Sequence, residues 1–127
     1  MARKHILDPA AEGRLARTLF ASALMSDSKW RKLFTAVHDK CDFLDRMIVK
    51  FIDVDEPKQM RFPPDLRCPR AYMDTIEFGP VALRSIEWVE FNGDLTDLLG
   101  PWQFKSDIHH GRTRIFGYSG LQPSHNS

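Results

Sequence analysis

Cys68, set between Arg67 and Pro69 in the run RFPPDLRCPR, is the side chain of this chain best suited to nucleophilic chemistry. A neighbouring guanidinium favours thiolate over thiol at neutral pH, but a cysteine nucleophile also needs a base to take and return its proton. His109 and His110 are the only adjacent histidines, and Asp107 stands close to them. Neighbouring histidines point to opposite faces of a strand and diverge by about 100° on a helix, so a solvated turn explains this pair better than a shared metal ion. Asp53 and Asp55 share strand parity, which would let both face one pocket or one cation. Paired carboxylates hydrolyse glycosides when they stand about 5 to 9.5 Å apart with one pKa raised, a geometry that nearness in sequence does not establish.

Motifs that would announce a cofactor are absent. The chain holds no GxGxxG, no phosphate-binding GxxxxGK[ST], no GxSxG elbow, no HExxH and no CxxC spacing. No cofactor, no metal and no assembled catalytic set is therefore expected. Its two cysteines, Cys41 and Cys68, are too few for a disulfide-stapled secreted scaffold and fit a reducing cytoplasm.

Elements that would position these residues follow from periodicity. Asp8-Pro9 reads as a cap and first turn leading into AAEGRLARTLFASAL, with Ala11, Leu15, Leu19 and Ala23 repeating every four residues. Trp30, Leu33, Phe34, Val37, Cys41 and Leu44 form the clearest helical stripe, capped by Asp27 or Ser28. The run RMIVKFIDV is apolar on both faces and reads as an inner strand closed by Asp55-Glu56-Pro57. Phe62-Pro63-Pro64-Asp65 and, after Arg67-Cys68, Pro69 predict a stiff extended connection with Arg61, Asp65 and Arg67 at the surface. Residues 71–78 and 83–91 read as strands paired in a hairpin across Gly79 to Ala82. A short helix near 94–99, a turn at 107–111 and a last strand at 112–118 complete the pattern, with Trp102 and Phe104 as core or rim aromatics.

The fold class expected is α+β, with one or two amino-terminal helices packed on a mostly antiparallel sheet of about four strands. Met25-Ser26-Asp27-Ser28 is a natural domain start, so residues 1–24 read as a helical extension, 25–121 as a single domain and 122–127 as a polar tail. The length of 127 residues suits one hydrophobic core. Arg14 and Arg17 interrupt any export-type apolar stretch, and nothing approaches the roughly 18 apolar residues of a membrane span.

The runs KFIDVDE, RFPPDLRCP and DTIEFGPVALRSIEWVEF together resemble a family of small bacterial proteins described only as a domain of unknown function, over about residues 28–91. The resemblance implies a bacterial, cytoplasmic setting, and it brings no activity, ligand or catalytic residue to carry over.

Eighteen basic residues against 17 acidic ones leave a formal charge of +1, a balance with no net field to draw phosphate backbones. Lys29, Arg31, Lys32 and Lys40 are explained as a solvated helix face, so neither nucleic acid nor membrane is the expected partner. The expected function is a protein-interaction module of the immunity or accessory type, with Arg61, Asp65, Arg67, Cys68, Asp53 and Asp55 as binding residues. A second copy could cover an unpaired strand edge. The alternative is a small hydrolase-like enzyme whose site would form where the proline arm crosses the sheet, if Asp53, Asp55, Cys68 and a histidine from 109–110 converge there.

Overall fold

The computed structural model of the chain describes residues 8–100 and 104–121; the expected core aromatic Trp102 and the tail at 122–127 lie outside them. Helix α2 (Asp27–Lys40) organises the rest, and Ser26 caps it, its hydroxyl accepting from Lys29 N at 3.1 Å. Trp30, Leu33, Phe34, Val37, Cys41 and Leu44 are all buried, the face that the helical spacing predicts.

This face packs on an antiparallel sheet built from β2 (Arg46–Phe51), β3 (Lys58–Arg61), β6 (Ile86–Asn92), β7 (Ser106–His109) and β8 (Arg112–Phe116), in the order β3-β2-β6-β8-β7. The architecture is α+β, with five strands in the main sheet rather than about four. Strand alternation sends Met47, Val49, Phe51, Met60, Val89, Phe91 and Ile115 into the core against α2. Ile48, Lys50, Trp88, Glu90, Arg112 and Arg114 therefore stand on the opposite, outer face. β2 is an inner strand, as its two-sided apolar pattern requires.

The expected hairpin between 71–78 and 83–91 is corrected. β4 (Tyr72–Thr75) turns through Ile76-Glu77-Phe78 and pairs with β5 (Gly79–Ala82), so the segment read as a turn is itself the return strand. Thr75 sets the reversal: its hydroxyl accepts from Phe78 N and donates to Gly79 O, each at 2.9 Å. Pro80 is tolerated because a two-stranded ribbon is all edge. A 3-10 turn at Leu83–Ser85 then redirects the chain into β6, which pairs with β2 and β8.

The turn expected at 107–111 shrinks to His110-Gly111, both at positive φ (53° and 75°), which lets Ser106–His109 pair as β7. Ahead of the expected extended connection, Lys58 to Arg61, which the sequence left unassigned, form β3 paired with β2. Among the described residues no helix is long and apolar enough to cross a membrane.

α1 (Pro9–Leu19) starts at Asp8, whose carboxylate accepts from Ala10 N at 3.0 Å and Ala11 N at 3.3 Å. Its fully buried positions are Glu12, Gly13 and Ala16; of the expected repeat, Leu15 and Leu19 pack partly buried against the second core, Ala11 is half-buried, and Ala23 lies beyond the helix and is exposed. The small residues let it lie on the 3-10 turn, where Arg84 Cδ would sit 3.6 Å from a Cβ at Gly13. β1 (Phe20–Ala23) follows and pairs with β9 (Tyr118–Leu121). Phe20 stacks on Tyr118 with ring centres 5.0 Å apart, and Ala16, Phe20 and Ile52 form a second small core.

The Tyr118 hydroxyl donates to Arg84 O at 2.8 Å. Burial first, with Asp27 and Glu12 adding and Arg84 and Arg17 opposing, pushes this phenol up to about 12. The folded state thus holds the proton more tightly than the unfolded chain, where tyrosine titrates near about pH 10. Its contribution to stability is whole below that value and is lost as pH rises towards about 12. Denaturant midpoints should therefore fall more steeply across this window in the wild type than in Tyr118→Phe, and parallel slopes would refute the assignment.

Candidate functional site

The arm from Phe62 to Tyr72 is fixed at both ends. Phe62 is buried, its ring edge-on to Phe91 at 5.1 Å and to Phe34 at 6.3 Å, and the Phe62–Pro63 peptide bond is cis. Asp65 and Asp74 exchange backbone hydrogen bonds of 2.9 Å, tying the arm to β4. Between these points Arg31 of α2 acts as a clamp. Its guanidinium donates to the carbonyls of Leu66, Tyr72 (3.0 Å), Arg70 (3.3 Å) and Pro69 (3.5 Å). Arg70 in turn donates to the Ser28 hydroxyl. A segment with few ladder bonds of its own thus has its carbonyls satisfied by one side chain.

Arg67 turns to Asp65 rather than to Cys68. The Asp65 carboxylate accepts from Arg67 N (2.8 Å), Nη2 (3.0 Å) and Nε (3.1 Å), and these bonds hold its carboxyl below the usual range. The Arg67 side chain is 91% exposed and is presented outward while bonded to Asp65. Cys68 Sγ donates to Tyr72 O at 3.3 Å and Asp65 O at 3.5 Å, and neither carbonyl can serve as a base. Cys41 is the more buried thiol; burial, with Asp42 beside it, raises its pKa. Both cysteines are free. Clefts of about 540 and 500 Å³ flank Leu66, one lined by Phe34, His38, Pro63 and Arg67, the other by Thr35, Ala36, Asp39 and Lys40.

The remaining sequence candidates are not brought to this place. β2 ends at Phe51, so Asp53 and Asp55 lie in the connection to β3 and share no strand face; Asp53 is half-buried and Asp55 exposed. His109 ends β7 and His110 opens the β7–β8 turn, on the opposite edge of the sheet from β3, both exposed, with rings edge-on at 4.2 Å. Among the described residues no group of three or more His, Cys, Asp or Glu is placed to hold a metal. Arg61 closes β3, its amide donating to Glu77 Oε2 at 3.1 Å.

Arg61 belongs to a second surface, the outer face of the main sheet. It stands directly across from Arg46, and Asn92 across from Arg112, which in turn faces His109. The β2–β6 register, Ile48 to Glu90, carries Arg46 opposite Asn92, so one row crosses all five strands. The next row holds Gln59, Ile48, Glu90, Arg114 and Asp107. Glu90 is nearly buried, bonded to Arg114 at 2.8 and 3.1 Å and paired with Arg112 at 3.5 Å. Arg114 also lies 3.7 Å above the Trp88 ring, and Lys50 pairs with Glu87 at 2.9 Å. A cavity of about 260 Å³ on this face is lined by Phe43, Arg46, Gln59, Glu90, Asn92 and Arg112 among others.

The clamp by Arg31 escaped the sequence reading because the residue sits on the polar side of α2 and looks solvated. The arginine row escaped it because its three arginines are 15 or more positions apart and meet only through strand register. No protein-family model matches the chain, and no curated protein or solved structure is significantly similar to it.

Proposed function

We propose that this chain is a protein-interaction module of the immunity or accessory type in a bacterial cytoplasm, and that it docks its partner on the arm clamped to α2. The carrying observation is the Arg31 clamp, which holds residues 66–72 by four carbonyls and presents Arg67 outward while bonded to Asp65. A preordered segment loses little entropy on association, and exposed arginine beside an apolar cleft is a common anchor of interfaces. The clefts beside Leu66 take an apolar side chain, and Arg67 and Lys40 at their rims suit carboxylates next to it. Two free thiols fit a reducing compartment.

Affinity capture from the source organism with wild type, Arg67→Glu and Arg31→Ala tests this reading. A partner held at near-stoichiometric yield by wild type and lost by Arg67→Glu supports it. Absence of a partner, or equal capture by wild type and Arg67→Glu, overturns it. Arg31→Ala should also speed proteolysis within 62–72 and lower stability by about 1.5–3 kcal/mol, the range for hydrogen bonds to a charged group.

A further inference from the structure

We propose that the outer face of the five-stranded sheet binds single-stranded nucleic acid, its phosphates seated along the row Arg61, Arg46, Asn92, Arg112 and His109. This face lies on the side of the sheet away from α2 and its arm, so the inference goes beyond the protein-binding reading and stands or falls separately.

The row contains no acid and crosses every strand of the sheet. At about 4.8 Å between strands it extends over roughly 19 Å, a reach that suits a run of phosphates rather than a single anion. Its charges are also arranged at a cost to the folded chain. Phe62 N donates to Asp45 O at 2.9 Å, which makes the neighbouring Arg46–Arg61 couple the non-hydrogen-bonded kind, with side chains at their closest. Like charges directly opposite destabilise a sheet, and neither arginine has an ion pair among the described residues. A phosphodiester chain would relieve that repulsion.

The acids nearest the row are already engaged or offset. Glu90 is bonded to Arg114 and Arg112, and Asp107 stands across from Arg114. Two acids oppose the row: Asp45 at the edge of the cavity, and Glu77, whose Oε2 accepts from the Arg61 amide at 3.1 Å. Bases have two platforms. Phe43 is 69% exposed at the rim of the cavity, and the Arg114 guanidinium carbon lies 3.7 Å above the Trp88 ring with a third of its side chain exposed. Stacking on such groups is sequence-tolerant because every base has a π-face. Duplex fits less well, since among the described residues the row lies on paired strands, with no helix among its members to enter a groove.

Fluorescence anisotropy of the full chain with a labelled mixed-sequence strand of roughly 15 nucleotides tests the proposal. Saturable binding is expected at about 50 mM salt, weakening steeply by about 200 mM. Arg46→Glu should weaken it by about tenfold or more, and Phe43→Ala by a smaller factor. Arg46→Glu replaces a like-charge couple with an opposite one, so its melting temperature should equal or exceed that of wild type, which separates lost binding from lost fold. Duplex of the same sequence should bind more weakly. Undetectable binding at low salt, wild-type affinity in Arg46→Glu, or equal competition by a polyglutamate peptide would each overturn the assignment, the last by making the face a site for acidic protein. Loss of partner capture in Arg67→Glu leaves this result untouched.

Discussion

Trp30→Ala is expected to destabilise the protein by about 3–5 kcal/mol, the range for truncating a large aromatic in a packed core. The indole is 2% exposed and stacks on Phe34 with ring centres 5.7 Å apart. On its other side it reaches Gly117, where an added Cβ would stand 2.9 Å from Trp30 Cζ2 and 2.6 Å from Ile86 O. Gly117 also donates to Glu87 O at 2.7 Å, so the backbone there cannot step aside without losing a bond. Gly117→Ala should therefore be destabilising as well, by about 1–3 kcal/mol. Shortening Trp30 should not rescue it, because the nearer atom is backbone. Denaturant titration of both single variants and the double variant measures this. A loss below about 1 kcal/mol for Trp30→Ala would mean that the helical stripe does not anchor the sheet.

That stripe was legible because helix period and burial agree over residues 27–44, although the cap is Ser26 rather than the expected Asp27 or Ser28. β2 was legible for a similar reason: an apolar pattern on both faces leaves an inner strand as the simple outcome. The strands at 72–92 were misregistered because Gly79-Pro80 carries the strongest local turn signal, yet the Thr75 side chain closes the turn three residues earlier. Local residue type announced a reversal, and a side-chain hydrogen bond decided where it fell. The α1 stripe was legible only in part: Leu15 and Leu19 do pack against the second core, but the fully buried positions Glu12, Gly13 and Ala16 include a small-residue contact that leaves no apolar period to read.

For the surfaces, the arm and its exposed Arg67 were readable, since prolines limit backbone freedom whatever surrounds them. Net charge could not show the row on the outer face. A balance of +1 says nothing about where charges fall, and register gathers Arg46, Arg61 and Arg112 from three strands into one acid-free row. The pairing of Asp53 with Asp55 failed as a shared face because parity arguments end where the strand does, at Phe51.

Removing residues 1–24 is the second change with a large expected effect. The deletion takes away α1, leaves β9 without its β1 partner and uncovers Ile52, which is 5% exposed beneath Ala16 and Phe20. With roughly 1.5–3 kcal/mol for each large side chain, loss of Phe20 burial and exposure of Ile52 together amount to about 3–6 kcal/mol. The main core should nonetheless survive, because the buried residues that join α2 to the five-stranded sheet include none from this second cluster. The expected result is a cooperative melt at a lower midpoint, with amide protection retained in α2 and β6. Phe20→Ala in the full chain should reproduce part of the same shift. A broad, non-cooperative transition would show that α1 and β1 are required for the core itself, and an unchanged midpoint would show that their packing contributes nothing to it.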